Sequence, residues 1–287
     1  MIEGTIVSAH GRQYLVELTA GETLLCFPRG KRSELACGDL VHVQRSSDTQ
    51  GVIDSILPRS TLLYRSNEFR QKLIAANVTQ IIIVVATEPP YSDELISRCI
   101  VAAESQDIKT LIVFNKCDLS DRIALTSMAL APFEKIGYPV LRLSARSDAE
   151  ALRPYLSGQT SVLVGQSGMG KSTLTNALLH DANAPTREIS TALKAGKHTT
   201  THATLYRFDT HSALIDSPGL QEFGLRHLSK NAIEHGFLEL RSLQGQCRFR
   251  NCHHGREPDC AVHSAVRRGE IDPRRYAAFR TLCAEVG

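Results

Sequence analysis

Gly165-Gln166-Ser167-Gly168-Met169-Gly170-Lys171-Ser172 spaces a glycine, four residues and then Gly-Lys-Ser, with Thr173 next in line. The pattern suits polyphosphate. Glycines let backbone N–H groups turn inward around phosphate oxygens, Lys171 sets a point charge against the β and γ oxygens, and Ser172 offers a hydroxyl to Mg2+. A second set, Asn115-Lys116-Cys117-Asp118, has a carboxylate that can accept two hydrogen bonds from the guanine N1–H and exocyclic amine, which adenine does not offer. A buried acceptor left without donors costs about 1–3 kcal/mol, so Asp118 selects guanine. A third set lies near the end: Cys247, Cys252 and Cys260 with a histidine pair, His253 and His254, between them. Three thiolates and one imidazole in so short a stretch fit a closed tetrahedral Zn2+ site better than ordinary buried or redox thiols. The intervening Arg248, Phe249, Arg250, Gly255, Arg256 and Pro258 are too polar to form a core, so metal would have to order them.

Each set needs an element to position it. Ser161-Val162-Leu163-Val164 predicts a strand before the glycine loop, and residues 172–179 a helix after it, whose N-terminus favours anions. Leu111-Ile112-Val113-Phe114 predicts a buried strand, placing Asn115, Lys116 and Asp118 on the ligand-binding edge of a parallel sheet. The next strand, residues 139–143, ends in Ser144-Ala145, suited to a loop over guanine O6. Ser212-Ala213-Leu214-Ile215 leads into Asp216-Ser217-Pro218-Gly219, an Asp-x-x-Gly switch whose carboxylate holds Mg2+ through water and whose glycine N–H senses the γ-phosphate. Gly196-Lys197-His198-Thr199-Thr200-Thr201 supplies threonines of the switch I type, with Thr200 or Thr201 expected at the metal. Leu220 stands where Ras-like enzymes carry a water-orienting glutamine, so another group is needed, and His198 is the candidate, acting alongside Lys171. A P-loop kinase or ATPase is disfavoured by Asp118 and by the lack of an evident module for an acceptor substrate.

The base motif precedes the glycine loop, the reverse of the usual order, which resembles the circularly permuted GTPases. Such a permutation lets switch II lead straight into a following module. At the front, short β-rich runs at residues 5–7, 14–18, 23–27, 39–43 and 52–57 alternate with glycine turns and predict a small barrel of the OB-fold type. OB-folds often bind RNA, although the six Lys and Arg against seven acids up to residue 62 give no broad basic face. The expected architecture is multidomain α/β: an OB-fold β-barrel at 1–62, a permuted P-loop GTPase at 63–235 and a zinc-binding α-helical module at 236–287.

Barrel, permuted GTPase and Cys-x4-Cys-x-His-x5-Cys, in that order, resemble the RsgA family, also called YjeQ or YloQ. The likeness spans essentially the whole chain and includes Ala75-Ala76-Asn77-Val78, the 196–201 segment, Cys252-His253-His254, Glu257-Pro258 and Cys260-Ala261-Val262. It implies His254 rather than His253 as the zinc ligand. It further implies a bacterial factor in late maturation of the 30S subunit that binds near the decoding region, contacts 16S rRNA and leaves after hydrolysing GTP to GDP under stimulation by the subunit. The alternative is a GTP-gated RNA-binding assembly protein in which hydrolysis is incidental.

Bulk properties agree. The chain has 287 residues, 42% hydrophobic content and net charge +3, enough for two or three domains and mildly suited to RNA. From 236 to 287 nine arginines face six acids, and the pairs Arg267-Arg268 and Arg274-Arg275, around a helix break at Pro273, read either as phosphate contacts, slightly favoured, or as a solvated helix face. There is no apolar leader and no run of about 18 apolar residues, so a cytoplasmic protein without a membrane partner is expected. A monomer with no DNA partner is the remaining expectation.

Overall fold

A computed structural model describes residues 1–30, 34–66, 71–119, 123–179, 203–217, 220 and 223–286. Strands β1 (Ile2–His10), β2 (Gln13–Leu18), β3 (Thr23–Pro28), β4 (Leu40–Arg45) and β5 (Gln50–Ile56) run in the order β1-β2-β3-β5-β4, and β4 pairs back onto β1. The ring is closed, as an OB-type barrel requires. Alternation fills it: Ile6, Val16, Leu24, Cys26, Val41, Val43 and Ile53 form one buried cluster.

Strands β6 (Leu62–Ser66) and β7 (Gln71–Ala76) form a separate antiparallel hairpin that the sequence pattern did not reveal. Asn77, at φ +56°, fastens it to the barrel side. Its Oδ1 accepts the Ser60 N–H at 2.9 Å, and its Nδ2 donates to the Gly38 carbonyl at 2.9 Å. Gly38, at φ +90°, has no room for a Cβ, which would stand 2.2 Å from the Ala76 carbonyl oxygen.

The central sheet contains β8 (Gln80–Ala86), β9 (Lys109–Asn115), β10 (Val140–Arg142), β11 (Thr160–Val164), β12 (Thr204–Arg207) and β13 (Ala213–Asp216) in the order β10-β9-β8-β11-β13-β12. All pairings are parallel except β12 against β13. Strand β8 shows why its run is unbroken: Ile81, Ile83 and Val85 enter the core on one face, and Ile82, Val84 and Ala86 the core on the other. Helices α1 (Asp93–Glu104), α2 (Ile123–Ile136), α3 (Arg153–Leu156) and α4 (Lys171–Leu179) belong to this part. The barrel joins the sheet edge at Ser8, which pairs with Thr204. Arg207 binds Glu17 across the same junction.

Helices α5 (Lys230–His235), α6 (Leu238–Arg241), α7 (Ala261–Arg267) and α8 (Pro273–Glu285) complete the chain. Pro273 opens α8, and the Asp272 carboxylate caps it by accepting the Arg274 N–H. The reading of Arg274-Arg275 as phosphate contacts is overturned. Arg275 is only 1% exposed and donates to Glu239 at 2.7 and 3.1 Å and to Ser97 Oγ of α1 at 2.7 Å. Its guanidinium lies 4.4 Å from the Phe237 ring centroid. Arg274 pairs with Asp93 and Asp272. A buried cation must be paired, and these two join the C-terminal helices to α1. Arg98 with Glu285 and Arg241 with Glu104 tighten the same joint. Arg268 is likewise paired, with Glu270. Among the described residues, no helix is long and apolar enough to cross a membrane.

Candidate functional site

Asn115 ends β9, Ser144-Ala145 follow β10, Gly165 follows β11 and Asp216 ends β13, so the carboxyl edge of one parallel sheet collects the motifs. That edge is where open α/β sheets take ligands. Asn115, 1% exposed, connects them: its Nδ2 donates to the Met169 carbonyl at 2.9 Å, and its Oδ1 accepts the Ala145 N–H at 2.8 Å. One amide thereby fixes the phosphate loop against the base loop. The glycines follow from this packing. Gly170, at φ +92°, would put a Cβ 2.3 Å from Asn115 Nδ2, and Gly165, at φ +151°, would put one 2.3 Å from the Val84 carbonyl oxygen.

Lys171 opens α4 and turns its ammonium onto the carbonyls of Gly165 and Gln166. Burial pushes its pKa below the ordinary value, opposed by the carboxylate of nearby Asp216. Ser172 and Thr173 stand exposed on the first turn of the same helix. Asp216 and Ser172 are hard oxygen donors of the kind Mg2+ takes, and Lys171 lies near the same carboxylate. Gln166, Ser167 and Gly168 form the outer rim of the loop, while Met169 is buried. Asp118 is exposed, and the Ser144 hydroxyl facing it, then its own backbone N–H, Arg146 and Lys116, hold its carboxyl below the usual range. Thr87 Oγ1 and Gln166 Oε1 are buried without a hydrogen-bond partner. Unpaired buried polar atoms around one loop cluster are what a polar ligand would satisfy, and the residues present fit a guanine nucleotide with Mg2+. His198, Thr200, Thr201 and Gly219 lie outside the described residues.

A further segment of the site escaped sequence reading. Residues 87–91 follow β8, where the Glu88 carbonyl accepts Lys116 Nζ at 2.6 Å and Pro89 would stand 3.1 Å from a Cβ on Gly168. The loop thus touches both the base motif and the phosphate loop. Its only sequence signal was position, at the end of the strand between the other two.

The second constellation lies among the C-terminal helices. Cys247, Cys252, His254 and Cys260 bring their donor atoms within 4.8 Å of one another. His254 Nδ1 is 3.5 Å from Cys247 Sγ, 3.6 Å from Cys252 Sγ and 3.3 Å from Cys260 Sγ. His254 is buried, whereas His253 is exposed and outside the group. On the far side of the ring, Nε2 lies 3.4 Å from Glu234 of α5. Glu234, ahead of burial, sets the His254 pKa, raising it to about 9, and orients the ring so that Nδ1 faces the sulfurs. Burial pushes the Cys260 thiol up, but the His263 N–H, His254 and the other two thiols outweigh it and leave it below its ordinary value. The Glu257 carboxylate closes the loop by accepting the N–H groups of His253 and Gly255 at 2.9 and 2.6 Å. Three soft sulfurs and one oriented imidazole form a donor set fit for tetrahedral Zn2+.

Comparison with known proteins agrees with this geometry. A profile of the RsgA GTPase family matches residues 56–226. The Small ribosomal subunit biogenesis GTPase RsgA of Nitrosospira multiformis is 52% identical over 99% of this chain and 91% of its own, and that of Burkholderia pseudomallei is 49% identical over 99% and 92%. Among solved structures, YjeQ from Thermotoga maritima superposes with a TM-score of 0.76 at 31% identity, covering 99% of this chain and 98% of the other. YloQ, described as a circularly permuted GTPase, gives 0.72 at 27% identity over 100% and 95%. With its base motif placed ahead of its phosphate loop on one sheet edge, the chain is a GTPase and belongs to the RsgA GTPase family.

Proposed function

We propose that this GTPase acts in late maturation of the small ribosomal subunit, binding the 30S particle through 16S rRNA and hydrolysing GTP to GDP and phosphate when the particle engages it. The observation that carries the reading is 52% identity over 99% of the chain to a relative named for small-subunit biogenesis. Asp118 reads guanine, Ser144 and Ala145 enclose its O6 side, and Gly165 to Ser172 with Thr173 wrap the phosphates. Ser172, Asp216 and either Thr200 or Thr201 hold Mg2+, which offsets phosphate charge, and the Gly219 N–H reports the γ-phosphate. Lys171 exchanges loop carbonyls for phosphate oxygens, a charge-assisted contact. Leu220 is 1% exposed and apolar, so it brings no water-orienting group. His198 takes that role.

In this reading, residues 1–62 and 236–287 flank the GTPase of 63–235 and meet the particle. Support for coupling comes from connectivity: Thr204, just beyond switch I, pairs with Ser8 of the barrel, and residues 223–229 run from switch II into α5. Zn2+ at Cys247, Cys252, His254 and Cys260 holds the C-terminal module, and the protein works as a cytoplasmic monomer. The test is GTP turnover by the purified protein with isolated small subunits, with large subunits as control. Stimulation by small subunits alone, lost in Lys171→Ala and reduced in His198→Ala with GTP binding spared, is expected. Absence of stimulation with guanine binding intact would move the partner elsewhere.

A further inference from the structure

A cavity of about 530 Å3 that the nucleotide chemistry does not use opens from the Cys/His cluster, with Cys247, Cys252 and His254 in its inner wall. Lys230, Arg250 and Arg280 line it as cations, and Glu234, the one acid, is turned to His254. Lys230 and Arg250 make no ion pair among the described residues, while Arg280 donates to the His253 carbonyl at 2.8 Å. The wall also carries Phe249, 42% exposed. A large aromatic in water is costly, yet the structure holds this one out. It sits between Cys247 and Cys252, its carbonyl accepts the Cys252 N–H at 3.2 Å, and the Arg248 guanidinium lies 5.5 Å from its ring centroid. Arg248 is itself anchored by Asp259 at 2.8 Å. These contacts hold the ring on the wall of the cavity.

We propose that this pocket takes one unstacked nucleotide of single-stranded RNA, its base on Phe249 and its phosphates against Lys230, Arg250 and Arg280. A π-face with unpaired cations is the chemistry that recognises a base and its backbone, and the volume lies within the range of about 300–1,000 Å3 found for small-ligand sites. The surplus positive charge disfavours a neutral or apolar peptide. The inference deepens the proposed RNA contact of the C-terminal module and rests on it.

The experiment uses the full zinc-loaded chain with GDP saturating the P-loop site, and reads anisotropy of a labelled single-stranded RNA oligonucleotide across a salt series. Phe249→Ala should weaken binding between about 5-fold and about 150-fold, and Phe249→Tyr should keep it. Lys230→Ala and Arg250→Ala should each flatten the slope of log affinity against log salt by about 0.7. RNA affinity unchanged in Phe249→Ala overturns the pocket. Binding of free AMP that needs Phe249 while RNA affinity does not also overturns it, in favour of a free nucleotide. If Phe249→Ala loses zinc, the Lys230→Ala/Arg250→Ala chain decides, and unchanged affinity and slope there overturn the proposal. Small-subunit stimulation surviving in Phe249→Ala with unaltered RNA affinity would fault the pocket alone. Its absence in the unsubstituted chain would fault the broader reading.

Discussion

The nucleotide edge and the Cys/His loop both hang irregular backbone on regular elements, but they are held in different ways. At the edge, Asn115 bonds two loops at once, and glycines pack against Val84 and Asn115 over a sheet buried on both faces. In the loop, Cys260 and His254 are buried, while Arg248, Phe249, Arg250, His253 and Arg256 remain exposed. The first site is built by the core. The second has little core of its own and carries a donor set that fits a metal. Hydrophobic burial and hydrogen bonds hold the first site in shape, whereas the second is a short polar segment gathered around three thiols and an imidazole.

Metal removal should break that contrast most strongly, because structural Zn2+ contributes on the order of 10 kcal/mol to folding of such loops. Chelation, or Cys260→Ser, should abolish hydrogen-exchange protection across residues 247–260 and leave residues 160–179 as before. Equal loss in both segments would merge the two classes. Next in size is the joint between them. Arg275→Ala strands Glu239 in a buried site and should cost about 3–5 kcal/mol in urea unfolding. Arg275→Met, which keeps bulk, loses the same ion pair and separates packing from charge. A cost below about 1 kcal/mol for both would mean that the C-terminal helices need no such lock. Smallest, Asn115→Ala removes two buried hydrogen bonds, a net loss of about 1 kcal/mol each. Its GDP affinity, read with a fluorescent analogue, should fall by 10-fold or more, on the order of that loss, with little change in the metal loop.

The contrast also explains what the sequence could tell. Phosphate loop, base motif and metal ligands were legible because each is a local spacing with a fixed chemistry, and the barrel strands because their alternation is local too. The joints were not. Arg275 looked like a free basic residue because its partners, Ser97 and Glu239, lie 36 residues or more away along the chain, as does Asp93, the partner of Arg274 on α1. The hairpin of β6 and β7 carries no strong turn signal, and the pairing of Ser8 with Thr204 joins residues 196 positions apart. His254 and His253 were inseparable by spacing and are distinguished by burial and by Glu234.

The most direct test is to strip the metal from the purified chain and measure GDP affinity together with small-subunit-stimulated GTP turnover in the same sample. The account predicts unchanged GDP affinity and lost stimulation, both restored by adding Zn2+. Stimulation that survives without metal, or GDP affinity that falls with it, would contradict the division between a core-built nucleotide site and a metal-built partner surface.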